Sequence, residues 1–261
     1  MLRKTRELKG ARLAARGGEI GHVKDFYFDD QLWVVRYLVA DTGNWLPHRK
    51  VLISPHAVTG FHTTPHHAIE VNLSRQQIEE SPSIDQHLPV SRRMEARIYQ
   101  HYGWPYYWPG PFAWGPLAFP APDVADTMPV PAAEPPPPQP SEDSHLRSTS
   151  EVQGYSIQAL DRDFGHVEDF ILDDMDWGIR YLVADTRKWW PGKRVLLSPQ
   201  WIASVSWPEL SVYIDLDRDT VKRAPEYDPG TPITREYEQK LFDHYSRPPY
   251  WEMQPAPPRP G

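Results

Sequence analysis

The chain repeats the heptapeptide Arg36-Tyr-Leu-Val-Ala-Asp-Thr42 without change as Arg180-Tyr-Leu-Val-Ala-Asp-Thr186. Ahead of it, Gly21-His-Val-Lys-Asp-Phe26 recurs as Gly165-His-Val-Glu-Asp-Phe170 at the same shift of 144 residues. Several motifs that match at one constant offset indicate an internal duplication. We therefore predict that the chain contains two copies of one small folding unit.

The correspondence continues to the end of each copy. After one residue is lost from a loop, Pro89-Val-Ser-Arg92 corresponds to Pro232-Ile-Thr-Arg235. Both copies then end in the pattern His-Tyr-x-x-Pro-x-Tyr-Trp, at Trp108 and Trp251. We predict a first copy with its helical extension over 1–108, a proline-rich linker over 109–150, a second copy with its extension over 151–253, and a disordered tail over 254–261.

Inside each copy the side-chain pattern has mainly the period of two that is typical of strands. Large apolar residues occupy every second position of the third predicted strand, at Trp33, Val35, Tyr37 and Val39, and again at Trp177, Ile179, Tyr181 and Val183. Gly17-Gly18 and Asp29-Asp30 provide turns on either side of a second strand, Ile20–Phe28. We predict a mainly β fold with α+β extensions, in which two small antiparallel β-barrels are each followed by short C-terminal helices.

Helix-capping residues locate the helical extensions. Two helices are predicted in the first copy, over Ser74–Glu80 and Ser91–Tyr102, and each opens with an N-cap serine. Their counterparts in the second copy start at Asp217 and Thr234, which are also favourable caps. Both copies are therefore expected to carry the same helices.

The linker is marked by its proline content. Residues 109–140 contain 12 of the 30 prolines of the chain. Such a stretch is predicted to be an extended spacer that rises about 3.1 Å per residue where proline dominates. Four apolar side chains at its start are expected to lie across a neighbouring surface: Phe112, Trp114, Leu117 and Phe119.

Composition and charge narrow the class of protein. The formal net charge is −7. Residues 1–108 contain 14 Lys and Arg and 11 Asp and Glu, residues 109–150 contain 1 and 5, and residues 151–261 contain 13 and 19. An acidic second half disfavours a dedicated nucleic-acid clamp. The absence of cysteine excludes disulfides and thiolate sites. The sequence has no apolar run like that of a signal peptide or long enough to span a membrane, so we expect a cytoplasmic protein without a transmembrane segment. No cofactor is expected either.

The chain resembles the PRC-barrel family in three motifs: Ile-Gly-His-Val-x-Asp-Phe after a turn, a strand ending in Tyr-Leu-Val-Ala-Asp-Thr, and a Val-Leu-Ile-Ser-Pro strand. This family includes the cytoplasmic part of the photosynthetic reaction-centre H chain and a ribosome-maturation factor. The resemblance covers roughly residues 8–75 and 152–218. It implies a bacterial or archaeal module that docks onto partners without turnover, at a membrane-associated or photosynthetic-type complex among others. No binding residue of the family has a matched motif here.

Three histidines in one loop, His62, His66 and His67, are the candidate metal ligands, since imidazoles close in a loop can bind zinc or nickel. The corresponding loop of the second copy, Val205-Ser-Trp-Pro-Glu209, has no histidine. A solvated polar loop is the alternative interpretation.

Arg36 and Asp41, which recur as Arg180 and Asp185, could build a ligand pocket in each copy. The favoured interpretation is structural, because Asp41 and Thr42 can turn the chain by bonding nearby backbone amides while Trp45 packs over the barrel end. An odd separation also places Arg36 and Asp41 on opposite faces of a strand, so a direct pair is not expected.

The aromatic ending of each copy is the candidate interaction site. It can be a plug that docks the terminal helix on its own sheet, or a groove of the kind that holds proline-rich segments. In the second case the proline-rich spacer could occupy the groove and mask it. The candidate interaction residues are Trp104, Tyr107, Trp108, Tyr250 and Trp251.

The favoured function is a non-enzymatic scaffold or adaptor that binds a protein partner through two similar surfaces. An RNA-binding or ribosome-assembly factor is one alternative, supported by the basic N-terminal residues Arg3, Lys4, Arg6, Lys9 and Arg12. A small-molecule or metal sensor that uses the histidine loop is another. A homodimer and an intramolecular pairing of the two barrels both stay open.

Overall fold

A computed structural model describes residues 1–43, 45–46, 49–62, 67–82, 90–122, 124, 145–186 and 193–252. The strands of these residues are β1 Leu2–Lys4, β2 Arg12–Arg16, β3 Gly18–Asp29, β4 Val34–Asp41, β5 Lys50–Ile53, β6 Val58–His62, β7 Ala68–Ser74, β8 Leu146–Ser148, β9 Ser156–Gln158, β10 Asp163–Asp173, β11 Ile179–Asp185, β12 Arg194–Leu197, β13 Ile202–Ser206 and β14 Ser211–Ile214. The helices are α1 Thr5–Leu8, α2 Arg75–Glu79, α3 Arg92–Tyr102, α4 Thr149–Val152, α5 Arg218–Arg223 and α6 Arg235–Tyr245, with 3₁₀ turns at Pro55–Ala57 and Pro199–Trp201. The fold is mainly β, as predicted.

The chain divides into two compact units. The first contains Arg3–Ser150 together with the short segment Asp174–Gly178, and the second contains Glu151–Asp173 and the chain from Ile179 onward. Residues 146–150, at the far end of the predicted linker, therefore belong to the first unit. There β8 pairs with the second half of β3.

The two units have the same strand order, as the repeated motifs predict. It is β5-β4-β3-β2-β7-β6 in the first unit and β12-β11-β10-β9-β14-β13 in the second. The prediction of wholly antiparallel sheets is wrong at one pairing in each unit, because β2 runs parallel to β7 and β9 runs parallel to β14.

A 3₁₀ turn explains the parallel pairing. Pro55–Ala57 stands between β5 and β6 where a hairpin would reverse the chain, so β6 keeps the direction of β5 while passing to the other end of the sheet. The hairpin between β6 and β7 then reverses the chain, so β7 runs parallel to its neighbour β2. Among the described residues β5 and β6 remain the two ends of the strand path, and no pairing closes it into a barrel.

The third predicted strand starts one residue late in the first unit and two residues late in the second. Trp33 has φ 55° and its counterpart Trp177 has φ 63°, so both have left-handed backbone and lie before the strand, not in it. The Asp29 carboxylate sets the first turn by accepting hydrogen bonds from the amides of Gln31 (3.0 Å) and Leu32 (3.1 Å). The Trp33 ring then stacks on Phe28, with 5.2 Å between ring centroids.

The predicted caps are confirmed at the helices that follow the strands. Ser74 and Gln77 form a reciprocal capping box at α2, and the Ser91 side chain accepts from the amide of Met94 at α3. In the second unit, the side chains of Asp217 and Thr234 cap α5 and α6 in the same way. These caps fix the residue at which each helix starts.

The repeated glycine before histidine has a steric cause. Gly21 has φ 125°, and a Cβ at this position would lie 2.0 Å from the carbonyl oxygen of Asp41 on the neighbouring strand. At Gly165 a Cβ would lie 2.6 Å from the carbonyl oxygen of Asp185. Only glycine permits this close approach of β3 to β4, and of β10 to β11.

Among the described residues, no helix has both the length and the apolar character that crossing a membrane requires.

Candidate functional site: a carboxylate and two tyrosines under the terminal helix of each unit

A buried carboxylate joins the terminal helix of the first unit to its sheet. Glu95, on α3, is 3 % exposed. Its Oε2 accepts hydrogen bonds from the hydroxyl of Tyr37 on β4 (3.0 Å) and from the hydroxyl of Tyr107 in the aromatic ending (2.7 Å). Arg92, one helical turn earlier, lies 3.1 Å from Oε1. Helix, strand and aromatic ending are thereby tied to one side chain.

The second unit repeats this arrangement. Glu238 on α6 accepts from Tyr181 (2.8 Å) and from Tyr250 (2.9 Å), and Arg235 lies 3.3 Å from its other oxygen. Each group corresponds in sequence to a group of the first unit. The duplication therefore preserves a complete hydrogen-bonded network as well as a backbone pattern.

The electrostatics keep the tyrosine hydroxyls as donors. Burial raises the pKa of Glu95, against the opposing effects of Arg92 and of the two hydrogen-bonded tyrosines. Burial and the Glu95 charge hold the pKa of Tyr37 well above its usual range. In the second unit the same two causes raise the pKa of Tyr250 to about 12. Each hydroxyl thus keeps its proton at neutral pH and points it at the carboxylate.

A second charged group lies next to this network, at a break in the register between β3 and β4. Arg36 of β4 is 0 % exposed and contacts Asp29 Oδ2 at 3.2 Å. Its guanidinium donates to the carbonyl oxygen of Ala113 and lies 3.8 Å from the ring centroid of Tyr107. Stacking on the ring, the ion pair and the carbonyl together compensate for the burial of this charge.

In the second unit Arg180 makes two of the same contacts. It lies 3.3 Å from Asp173 and 4.3 Å from the ring centroid of Tyr250. The arginine of the repeated heptapeptide therefore contacts an aspartate and an aromatic ring in both units.

His56 is a buried histidine without a repeated counterpart, since Gln200 stands at that position of the second copy. Its Nδ1 accepts a hydrogen bond from the amide of Ala121 (3.1 Å), so Nε2 carries the proton of the neutral ring. Within the described part of the chain Nε2 finds no acceptor. Burial lowers the pKa of His56 to about 4, so the ring is neutral at pH 7.

The structure separates the predicted interaction residues into two groups. Trp104 and Tyr107 are buried inside the first unit, which favours the plug interpretation for them. Trp108, Tyr250 and Trp251 are partly exposed. The prediction of a partner-binding surface therefore rests on these last three residues.

The predicted histidine loop is described only in part. His62 Nε2 lies 3.0 Å from Glu70 Oε1, and both side chains are half exposed. The carbonyl of His67 accepts from the amide of Arg12, while His66 lies outside the described residues. The residues that the structure describes contain no group of three side chains placed to bind a metal.

The start of the predicted linker lies on the first unit. Trp114 is fully buried, Leu117 is partly exposed, and Phe112 and Phe119 are exposed at 41 % and 52 %. Of the four apolar residues expected to cover a surface, Trp114 does so completely. The prolines from Pro129 to Pro140 lie outside the described residues.

Sequence reasoning missed Glu95, the burial of Arg36, and His56. A signal for the first was present, because Glu95 and Arg92 recur as Glu238 and Arg235.

No protein-family model matches the chain, and none of the curated proteins is similar to it.

Proposed function

We propose that the chain is a tandem PRC-barrel protein that acts as a non-enzymatic scaffold and binds a protein partner through two equivalent surfaces. The proposed family rests on the doubled motifs and on the strand order shared by the two units. The proposed surface, called here the Arg–Trp surface, consists of Arg92 and Trp108 in the first unit and of Arg235 and Trp251 in the second.

One observation carries this proposal: a partly exposed tryptophan is held under an arginine in both units. The Arg92 guanidinium lies 4.7 Å from the Trp108 ring centroid, and Arg235 lies 3.9 Å from that of Trp251. Tryptophan, tyrosine and arginine contribute most to binding energy at protein interfaces. Stacking also restricts both side chains before a partner arrives, which reduces the entropy lost on binding.

The buried network explains how the surface is held. Arg92 donates to the Tyr107 hydroxyl (2.6 Å) and pairs with Glu95, so its orientation is fixed from below. Arg235 pairs with Glu238 in the same way. The carboxylate and hydroxyls are engaged with one another, and we assign them this positioning role in place of catalysis.

Two like surfaces on one chain favour a partner that offers two sites or forms an array, because the second contact is then intramolecular. The test compares Trp108→Ala, Trp251→Ala and the double variant in pulldowns from the native host. A truncated interface tryptophan costs about 2 kcal/mol or more, so each single variant should retain the partner weakly and the double variant should lose it.

Trp45→Ala is the matched control. Arg75 lies 4.5 Å from the Trp45 ring centroid, so this variant also removes a tryptophan stacked by an arginine, but outside the proposed surface. It should recover the partner as the native chain does. Equal recovery by the folded double variant would refute the proposed function.

A further inference from the structure

Residues 111–122, called here the docked segment, follow the aromatic ending and lie against the first unit. They fill a site whose polar groups come from three different elements: Arg36 of β4, His56 of the 3₁₀ turn and Asn72 of β7. The segment has neither a helix nor a strand of the sheet in it. It is therefore held by side chains of the unit and not by the sheet ladder.

The unit recognises the backbone of the docked segment at three points. Arg36 donates to the carbonyl oxygen of Ala113. The Ala121 amide donates to His56 Nδ1 (3.1 Å), and Asn72 Nδ2 donates to the carbonyl oxygen of Pro122 (2.6 Å). Contacts to backbone groups do not depend on the side chains of the bound segment, so such a site can accept many sequences.

One side chain anchors the docked segment. Trp114 is fully buried, with its ring centroid 5.1 Å from that of His56 and 5.1 Å from the Arg36 guanidinium. Its indole Nε1 donates to the carbonyl oxygen of Asp176, also of the first unit (2.9 Å). One buried aromatic anchor in a segment whose other bulky side chains, Phe112, Pro116 and Phe119, are exposed is typical of a bound peptide and differs from a core strand.

The turn around the anchor is closed by its own backbone. Phe112 and Gly115 exchange amide-to-carbonyl hydrogen bonds, each of 3.1 Å. Gly115 has φ 69°, and a Cβ there would lie 2.4 Å from the carbonyl oxygen of Tyr106. Because the segment supplies its own turn, a free peptide of the same sequence can present the same shape.

The site is incompletely satisfied by the docked segment. Arg36 Nε and His56 Nε2 are buried donors, and neither has an acceptor among the residues that the structure describes. A buried donor without an acceptor destabilises the state that contains it. A segment that offered one more acceptor at this position would satisfy a group that residues 111–122 leave open.

We propose that this is a peptide-binding site, that residues 111–122 occupy it as an intramolecular ligand, and that a partner protein displaces them with a proline-flanked turn anchored by tryptophan. This names the class of partner and rests on the scaffold function proposed above. Tethering gives the docked segment an effective concentration of the order of millimolar, so a competing segment must bind more tightly or act together with the Arg–Trp surface.

The test uses the full chain carrying Trp114→Ala and a fluorescent synthetic peptide of residues 109–122, followed by anisotropy. The variant should bind the peptide saturably at one site, at least tenfold more tightly than the native chain. The same peptide with its tryptophan replaced by alanine should not bind. Phe119→Ala is the matched control, because it removes an exposed aromatic of the same segment and should bind no better than the native chain.

Failure of a folded Trp114→Ala chain to bind, or equal binding of the two peptides, would overturn the proposal. If this variant does not fold, the native chain is mixed with millimolar peptide and hydrogen exchange is measured at residues 112–117. Displacement should raise exchange there at least severalfold, and unchanged exchange would overturn the proposal as well. The Trp108 and Trp251 pulldown is independent of both readouts, so the scaffold function can survive this failure.

Discussion

The substitution Glu95→Ala should strongly destabilise the first unit. It removes the acceptor of two buried hydroxyls, those of Tyr37 and Tyr107, and the partner of Arg92. A buried donor that loses its acceptor costs about 1–3 kcal/mol, and two donors lose theirs here. The loss of the ion pair adds less, because the Arg92 side chain is 30 % exposed and water can solvate its charge. These overlapping losses give an expected total of about 3–5 kcal/mol.

Glu95→Gln is the matched control. The amide keeps the side-chain length and one acceptor oxygen while losing the charge that faces Arg92. Two hydroxyls can share this oxygen, so we expect a loss of about 1–2 kcal/mol. The difference between the two substitutions measures the acceptor apart from the charge.

The two variants should also differ in their response to pH. Burial raises the pKa of Glu95 above its ordinary value of 4.5, so the native state binds this proton more tightly than the unfolded state does. The contribution of Glu95 to stability is then fully present below 4.5 and decreases as pH rises through the raised pKa. Glutamine does not titrate, so the deficit of Glu95→Gln relative to the native chain should become smaller as pH rises.

Segment-resolved hydrogen exchange is the assay, because a chain of two units need not unfold in one step. A loss of about 3–5 kcal/mol corresponds to exchange in α3 and β4 that is faster by roughly two to three and a half orders of magnitude. Equal effects of Glu95→Ala and Glu95→Gln, or a loss below about 1 kcal/mol, would refute the assigned role. Glu238→Ala should give the same effect in α6 and β11.

Three further outcomes are expected. Gly21→Ala should lower the thermal midpoint far more than Gly17→Ala, because only at the first position does a Cβ meet the neighbouring strand. Because the pKa of His56 is near 4 in the folded state, the unfolded state binds this proton more tightly below pH 6.5. The free energy of unfolding of the first unit should therefore fall by about 3 kcal/mol between pH 6.5 and 4. Denaturant titrations of His56→Gln should lack this decrease. Hydrogen bonds and the Lys9 charge outweigh burial and lower the pKa of Asp25. The contribution of Asp25 to stability is therefore present above its ordinary pKa of 3.8 and is lost in stronger acid, where proteolysis near residues 146–150 should increase. Asp25→Asn should show this increase already at neutral pH.

Local sequence signals predicted the elements whose causes are local. The N-cap side chains of α2 and α3 are decided within three residues, and the sequence contains all of that information. The duplication could also be recognised directly. The direction of β7 could not, because it depends on whether the chain reverses at Pro55–Ala57 or passes on to the other end of the sheet.

The burial of Arg36 shows the same limit at the candidate site. An arginine in an alternating strand is normally read as facing solvent. Its cover comes from Tyr107 and from Ala113, 77 positions along the chain. Only the identity of the heptapeptide in both copies indicated that this arginine was under constraint. Glu95 was similarly hidden, because a glutamate in the first turn of a helix is usually a favourable solvent-exposed residue.

The strand β8 determines where the protein can be truncated. The carboxylate of Asp25 accepts from the hydroxyls of Ser148 and Thr149, at 2.7 Å for the latter, so residues beyond the spacer complete the first unit. A fragment that stops at the end of the first repeat would leave half of β3 with an open edge, which is a known route to aggregation. A truncation meant to isolate the first unit must therefore keep residues 146–150.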